Sequence, residues 1–124
     1  MSTITVTNIK ATGETATRSV SGVAAVYCNV NQTSTQAIRD SINVSSITDD
    51  GTGQTDIAYT SNMSSADYGF TCGKGRSSAQ NGGVIAHTND TAPTASLIRI
   101  LAYNESNTTI DEERANVSVH GDLA

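Results

Sequence analysis

Residues 37–63 read AIRDSINVSSITDDGTGQTDIAYTSNM, and their pattern decides the fold. Two runs with apolar residues at alternate positions flank a turn-rich DDGTG. Ile42 and Val44 share one parity, with Asn43 and Ser45 between and beyond them, so period two places the pair on one face of a strand. Asp49, Asp50, Gly51, Thr52 and Gly53 supply the turn, because glycine admits positive φ and aspartate accepts local backbone hydrogen bonds. The chain returns over residues 54–60 with Ile57 and Tyr59 on one face. The segment is therefore a β-hairpin or a β-connection. Residues 61–67 form a loop whose Met63 plugs the edge of the core.

The same alternation extends outward in both directions. Residues 23–30 (VAAVYCNV) are the first strong strand, and residues 68–73 (YGFTCG) put Tyr68, Phe70 and Cys72 on one face. Residues 84–87 give a short strand. Residues 95–103 (ASLIRILAY) are the most apolar run. Leu97, Leu101 and Tyr103 face one way there, and Ile98, Ile100 and Ala102 the other, as in a strand covered on both sides. Residues 115–123 close the body with Val117 and Val119 on one face. Polar loops fall at 73–83, at 88–94 around the single proline, Pro93, and at 104–114. Strands at this spacing predict an all-β chain, an antiparallel β-sandwich or jelly-roll-like domain. Residues 1–21 are poorer in core-forming side chains and read as an extended arm, with the body at 22–124. Ile4, Val6 and Ile9 are the arm's candidate docking or oligomer contacts.

Composition narrows the function. The 124 residues carry a net charge of −5, 36% hydrophobic and 4% aromatic residues, and no Trp. Ser, Thr and Asn supply about a third of the chain. So thin a core offsets conformational entropy poorly, which predicts subunits that complete one another's cores. No Lys/Arg cluster marks a nucleic-acid surface. No apolar run reaches the ~20 residues of a membrane span, and residues 1–10 lack the pattern of a secretory signal. Cys28 and Cys72 read as two small buried hydrophobes, with a disulfide conceivable only in an oxidising medium.

No motif for catalysis emerges. His87 and His120 would need to meet carboxylates such as Asp90 or Asp122 to hold a metal. Asp49, Asp50 and Asp56 fail the EF-hand spacing. The run Gly73, Lys74, Gly75, Arg76, Ser77 fails the phosphate-loop spacing, and no G-x-S-x-G elbow occurs. Glu112 and Glu113 sit in the most polar loop, where solvation makes poor acid catalysts. Sequons such as those at Asn31, Asn43, Asn104 and Asn116 follow from composition. The expectation is a protein with no catalytic residues, no metal and no cofactor.

Residues 37–63 resemble a module of bacteriophage tail fibres and appendages whose wording runs AIRDSxNVSSITDNGTGDYTVNFTxxM. Ala37 to Ser41, Asn43 to Asp49, Gly51 to Gly53 and Met63 match it. Residues 1–22 are similar to that family's lead-in, TLTVTNIKATGETASRSVSG. Where family chains carry AAAWVNFNGTGT, this chain has AAVYCNVNQTST, with Tyr27 for Trp, Val30 for Phe and Gln32 for Gly. At the closing strand His120 stands for a bulky apolar residue. The resemblance covers residues 1 to about 70 and, loosely, the last strand. It implies a virion structural protein assembled in the host cytoplasm, trimeric, contacting other phage proteins and a host-surface glycan or protein. Neither nucleic-acid binding nor membrane insertion is implied. The alternative is a head fibre, capsid decoration or tail connector without receptor contact, which the short chain suits. Contact is expected from residues 74–80 (Lys74, Arg76, Ser77, Gln80) and 104–114 (Asn104, Glu105, Asn107). Tyr27, Tyr59 and Tyr68 are candidates for stacking on sugars, although their strand faces favour core roles.

Overall fold

The alternating runs become strands of two four-stranded antiparallel sheets. The computed structural model describes residues 23–75 and 91–124, together with the backbone of the short strands Asn8–Ile9, Arg18–Ser19 and Ile85–His87. In chain order the strands are β1 (Asn8–Ile9), β2 (Arg18–Ser19), β3 (Ala24–Asn31), β4 (Ala37–Ile42), β5 (Val44–Gly51), β6 (Gln54–Tyr59), β7 (Gly69–Gly75), β8 (Ile85–His87), β9 (Leu97–Ala102) and β10 (Arg114–His120). Sheet one has the order β4-β3-β10-β7 and sheet two the order β5-β6-β9-β8. The two sheets pack face to face as a β-sandwich. In the arm, β1 pairs with β2 so that Ile9 lies opposite Arg18. Ile4 and Val6 lie outside the described residues.

The central strands make the core. Val26, Cys28 and Val30 of β3 and Ala115, Val117 and Val119 of β10 meet Ile57 and Tyr59 of β6 and Ile98 and Ile100 of β9. All ten are buried, and they sit at alternate positions of their strands, as the pleat requires. The outer face of β9 is also covered at Leu101, which is buried. Beside it Arg99 forms a bidentate pair with Asp56 on β6 (Nε to Oδ1 2.5 Å, Nη2 to Oδ2 2.9 Å) and a second ion pair with Asp50. This is the two-sided burial expected of residues 95–103. The expected hairpin also forms: β5 and β6 pair around Gly51 and Gly53, both at positive φ.

Two features differ from the sequence reading. Ile42 and Val44 do not share a strand face. Asn43 between them adopts φ +57°, so the chain turns a corner there and passes from β4 in sheet one to β5 in sheet two. Asparagine tolerates the left-handed region better than most residues. The corner is fastened by Asn43, whose Nδ2 donates to Ser61 O (2.9 Å) and whose Oδ1 accepts from Ser61 N (2.7 Å). Ile42 is consequently 58% exposed.

The cysteines stand as the sequence reading has them, as small apolar side chains, Cys28 buried and Cys72 partly so. Cys28 and Cys72 both lie opposite Val117, one on each side of β10. Strands are ~4.8 Å apart, so the Cα atoms are separated by roughly twice that, beyond the ~6.8 Å limit of a disulfide. Both thiols are free. Burial, with the charge of Asp40 adding to it, pushes the Cys28 thiol up to about 11, and burial does the same to Cys72.

The second difference is Tyr27, which points away from the core. It occupies the outer face of sheet one, half-buried, opposite Ser118 and Ile42.

The edge strands are irregular. β4 carries an extra residue at Arg39 between the Asp40–Asn29 and Ile38–Val30 pairs, and β5 breaks register against β6 twice. Bulges and charges of this kind blunt an edge against pairing with other chains.

Candidate functional site

The two ends of the sandwich are built from different chemistry. At one end a polar network is sealed inside. Gln32, just after β3, is buried and bonds in four directions. Its Nε2 donates to Gly53 O (3.0 Å) and Thr55 Oγ1 (3.0 Å), its Oε1 accepts from Glu112 N (3.2 Å), and its own N donates to Glu112 O (2.8 Å). Thr55 Oγ1 in turn donates to Gln36 Oε1 (2.6 Å). Lys74 Nζ bonds Glu112 Oε1 (2.8 Å) and Tyr103 O (3.0 Å). Gly53 is required here: its φ is +72°, and a Cβ would lie 2.6 Å from Ile110 O and 2.8 Å from Ala102 O.

This end corrects two expectations. Lys74 is not in the polar loop. It ends β7 opposite Ala115, its side chain pointing inward into an ion pair. Glu112 is not solvated but 2% exposed. Both groups hold the fold, which leaves neither for contact or acid–base work. Arg76, Ser77 and Gln80 lie outside the described residues.

Asn104, Glu105 and Asn107 are in a surface turn, as expected. Asn104 organises that turn: its Oδ1 accepts from Ser106 N (3.0 Å) and Thr108 N (2.9 Å), while Asn107 sits at φ +57°. Glu105 and Asn107 are exposed on it.

The opposite end is aromatic inside and open outside. Met63 is buried and bridges to Leu123, confirming its place at the core edge. Tyr59 and Tyr68 meet edge to face, with centroids 6.2 Å apart. Tyr59 Oη donates to Tyr68 Oη (2.9 Å), and Tyr68 Oη lies within reach of Thr94 O (3.0 Å) and Leu97 O (3.2 Å). Burial raises both phenols above their ordinary range. The hydrogen bond to Tyr68 adds to the effect at Tyr59, whereas the same bond opposes it at Tyr68.

Outside this pair lies an open cleft of about 330 Å³ lined by Met63, Ser64, Ser65, Asp67, Tyr68, Gly121 and Asp122. Its walls are tied together by Ser64 N to Asp122 O (2.8 Å) and Ala124 N to Asn62 O (2.9 Å). The floor is tight, since a Cβ on Gly121 would meet Met63 Cε at 3.0 Å and Tyr68 Cβ at 3.1 Å.

Ser64, Ser65, Asp67, Gly121 and Asp122 escaped the sequence reading as a site. The only signal was a Ser/Asp-rich loop at 61–67, and its partner wall lies over fifty residues further on. Among the described residues no three His, Cys, Asp or Glu side chains gather to hold a metal ion. His120 ends β10 in sheet one and His87 ends β8 in sheet two. Among these residues no helix is long and apolar enough to cross a membrane. No family model, curated protein or solved structure matches this chain.

Proposed function

We propose that the chain is a non-catalytic structural subunit of a bacteriophage virion, a tail-fibre or appendage component that attaches the particle to its host. The observation that carries this reading is where the phage-like stretch falls. Residues 37–51 occupy two edge strands and the corner joining them, and most of their side chains face solvent. A segment that contributes so little to the core is available for contact with other molecules.

Two further features support the reading. The bulged, charged edges suit a protein packed at high local concentration, where open strands would pair indiscriminately. The buried ions Lys74 and Glu112 are spent on holding the polar end together. We also propose a homotrimer, because the core is thin and Val23, Ile42 and Phe70 remain exposed. Attachment would then rest on weak contacts multiplied over copies.

Antibody labelling of intact particles tests placement. Label at the tail tip supports attachment, label on capsid faces or vertices supports the decoration reading, and no label on any particle removes both. Light scattering tests the trimer, with an expected mass of three times 12.8 kDa.

A further inference from the structure

We propose that the Asp50–Gly51 linkage is a site of spontaneous isoaspartate formation, primed by Asp49 and held in check by Arg99. The site lies in the β5–β6 hairpin, and it neither needs nor alters the attachment reading.

The linkage joins the two groups that must react. Asp50 carries the carboxyl, and its side chain is 43% exposed, so water reaches it. Gly51 carries the amide nitrogen. The space beside it is open, since a Cβ there would meet only Gln54 Nε2, at 3.7 Å. Its N–H donates to Asp49 Oδ1 at 3.1 Å, so a carboxylate already stands on the proton that must leave, within the reach of a general base. In the reaction Asp49 takes that proton, and Gly51 N bonds to Cγ of the protonated Asp50 carboxyl. The Cγ–OH bond breaks, Asp49 returns the proton to the departing oxygen, and water leaves a cyclic succinimide. Water then reopens the ring. Attack at Cγ restores aspartate, whereas attack at the backbone carbonyl leaves the chain running through Cβ and Cγ, longer by a backbone atom.

Two features of the hairpin give this chemistry its setting. Asp50 has no partner across the ladder, because Asp49 faces Thr55 and Gly51 faces Gln54. A strand that already bulges there has slack for an added backbone atom, so the product is tolerated in the folded chain. The other feature is Arg99. Its Nη1 lies 2.6 Å from Asp50 Oδ2, while its Nε and Nη2 hold Asp56 on β6. Asp56 fixes the guanidinium in place, and Asp50 docks on what remains of it. The ion pair exists only with the ionised carboxyl, which is unreactive towards an amide. It must break before the ring can close, and this makes Arg99 a brake.

The test is ageing of the full chain in mildly acidic water enriched in oxygen-18. Each passage through the ring leaves a heavy oxygen at residue 50. Mass spectrometry with fragmentation that separates β-linked from α-linked aspartate reads that position, and it scores Asn81–Gly82, another linkage of this type, apart. Arg99→Gln should speed the reaction at residue 50 about threefold or more, the scale of losing a partly exposed ion pair. Asp56→Asn also disrupts the Arg99 cluster but leaves Nη1 to Asp50, so ageing should stay near the parent rate. Adding Asp49→Ser to the Arg99→Gln chain should slow it again.

The proposal is overturned if the Arg99→Gln chain gains neither heavy oxygen nor a β-linkage at residue 50, or if it ages no faster than the parent. It is equally overturned if Asp56→Asn speeds ageing as much as Arg99→Gln, which would mean general loosening, or if Asp49→Ser changes nothing.

Discussion

The sealed end and the open end of this sandwich use similar numbers of polar groups to opposite effect. Around Gln32 the side chains bond one another and the backbone inside the protein, and the ion pair of Lys74 and Glu112 is largely buried. Around Tyr68 the polar partners are consumed only on the inner side, while Ser64, Ser65, Asp67 and Asp122 face an open cleft. The polar side chains of the sealed end should therefore govern stability, and the exposed polar lining of the open end should be nearly indifferent to substitution. Buried polar groups are costly to orphan, and exposed ones have water as an alternative.

The largest effect should come from breaking the buried ion pair. Glu112→Ala leaves the Lys74 ammonium without its counter-ion, and removing one partner of such a pair costs about 3–5 kcal/mol. The paired change Lys74→Met with Glu112→Leu should recover much of that loss. Urea unfolding of the two variants would check this, and equal losses in the single and the double variant would deny the pair its role.

Gly53→Ala comes next. Its Cβ would strike two carbonyl oxygens at a residue with φ +72°, and a cost of about 2–3 kcal/mol is expected from strain and displaced backbone. Thermal melting would read it. A neutral result would mean that the turn relaxes freely and that the end is less sealed than its geometry implies.

Between the ends, the middle of the sandwich should respond to alkali. Both thiols have their folded pKa raised from 9.0 to about 11, so the folded state keeps protons that the unfolded chain releases. Stability is then fully present below pH 9 and falls as pH rises from 9 towards 11, by at most about 1.4 kcal/mol per pH unit for each thiol. Because Cys72 is partly exposed, its share should be smaller. Cys72→Ser replaces the thiol by a group that does not titrate there, and it should flatten the pH profile measurably in denaturant melts at pH 8 and pH 10.5.

On the open side, Tyr68→Phe removes a phenol bonded to Tyr59 and to backbone carbonyls, and should cost about 1 kcal/mol. Asp67→Asn should change stability by no more than about 0.5 kcal/mol. A large loss at Asp67 would erase the contrast between the ends.

Much of the sandwich was legible because burial in a pleated strand leaves a two-residue rhythm. Val26, Cys28 and Val30, and again Val117 and Val119, announce their shared face without any tertiary information. The hairpin announced itself through Gly51 and Gly53. The corner at Asn43 did not, because the rhythm runs unbroken from Ile42 to Val44 and only a single backbone angle changes sheet. Tyr27 was assigned to the core with Tyr59 and Tyr68, but it alternates with the buried Val26 and Cys28 and so lies on the outer face. Lys74 and Glu112 were placed in solvent because charge predicts exposure one residue at a time. Their burial depends on a contact between positions 38 residues apart. The cleft was invisible for a similar reason: its two walls come from distant segments, and neither carries a pattern of its own.

The pairing of β3 with β10 also sets an order of events. The two central strands of sheet one join residues 24–31 to residues 114–120, so β3 meets β4 early, but nearly the whole body must leave the ribosome before β3 finds β10. Contacts of such long sequence separation make closure slow compared with local pairing. Until then Val26, Cys28 and Val30 lack their β10 neighbours Val119, Val117 and Ala115.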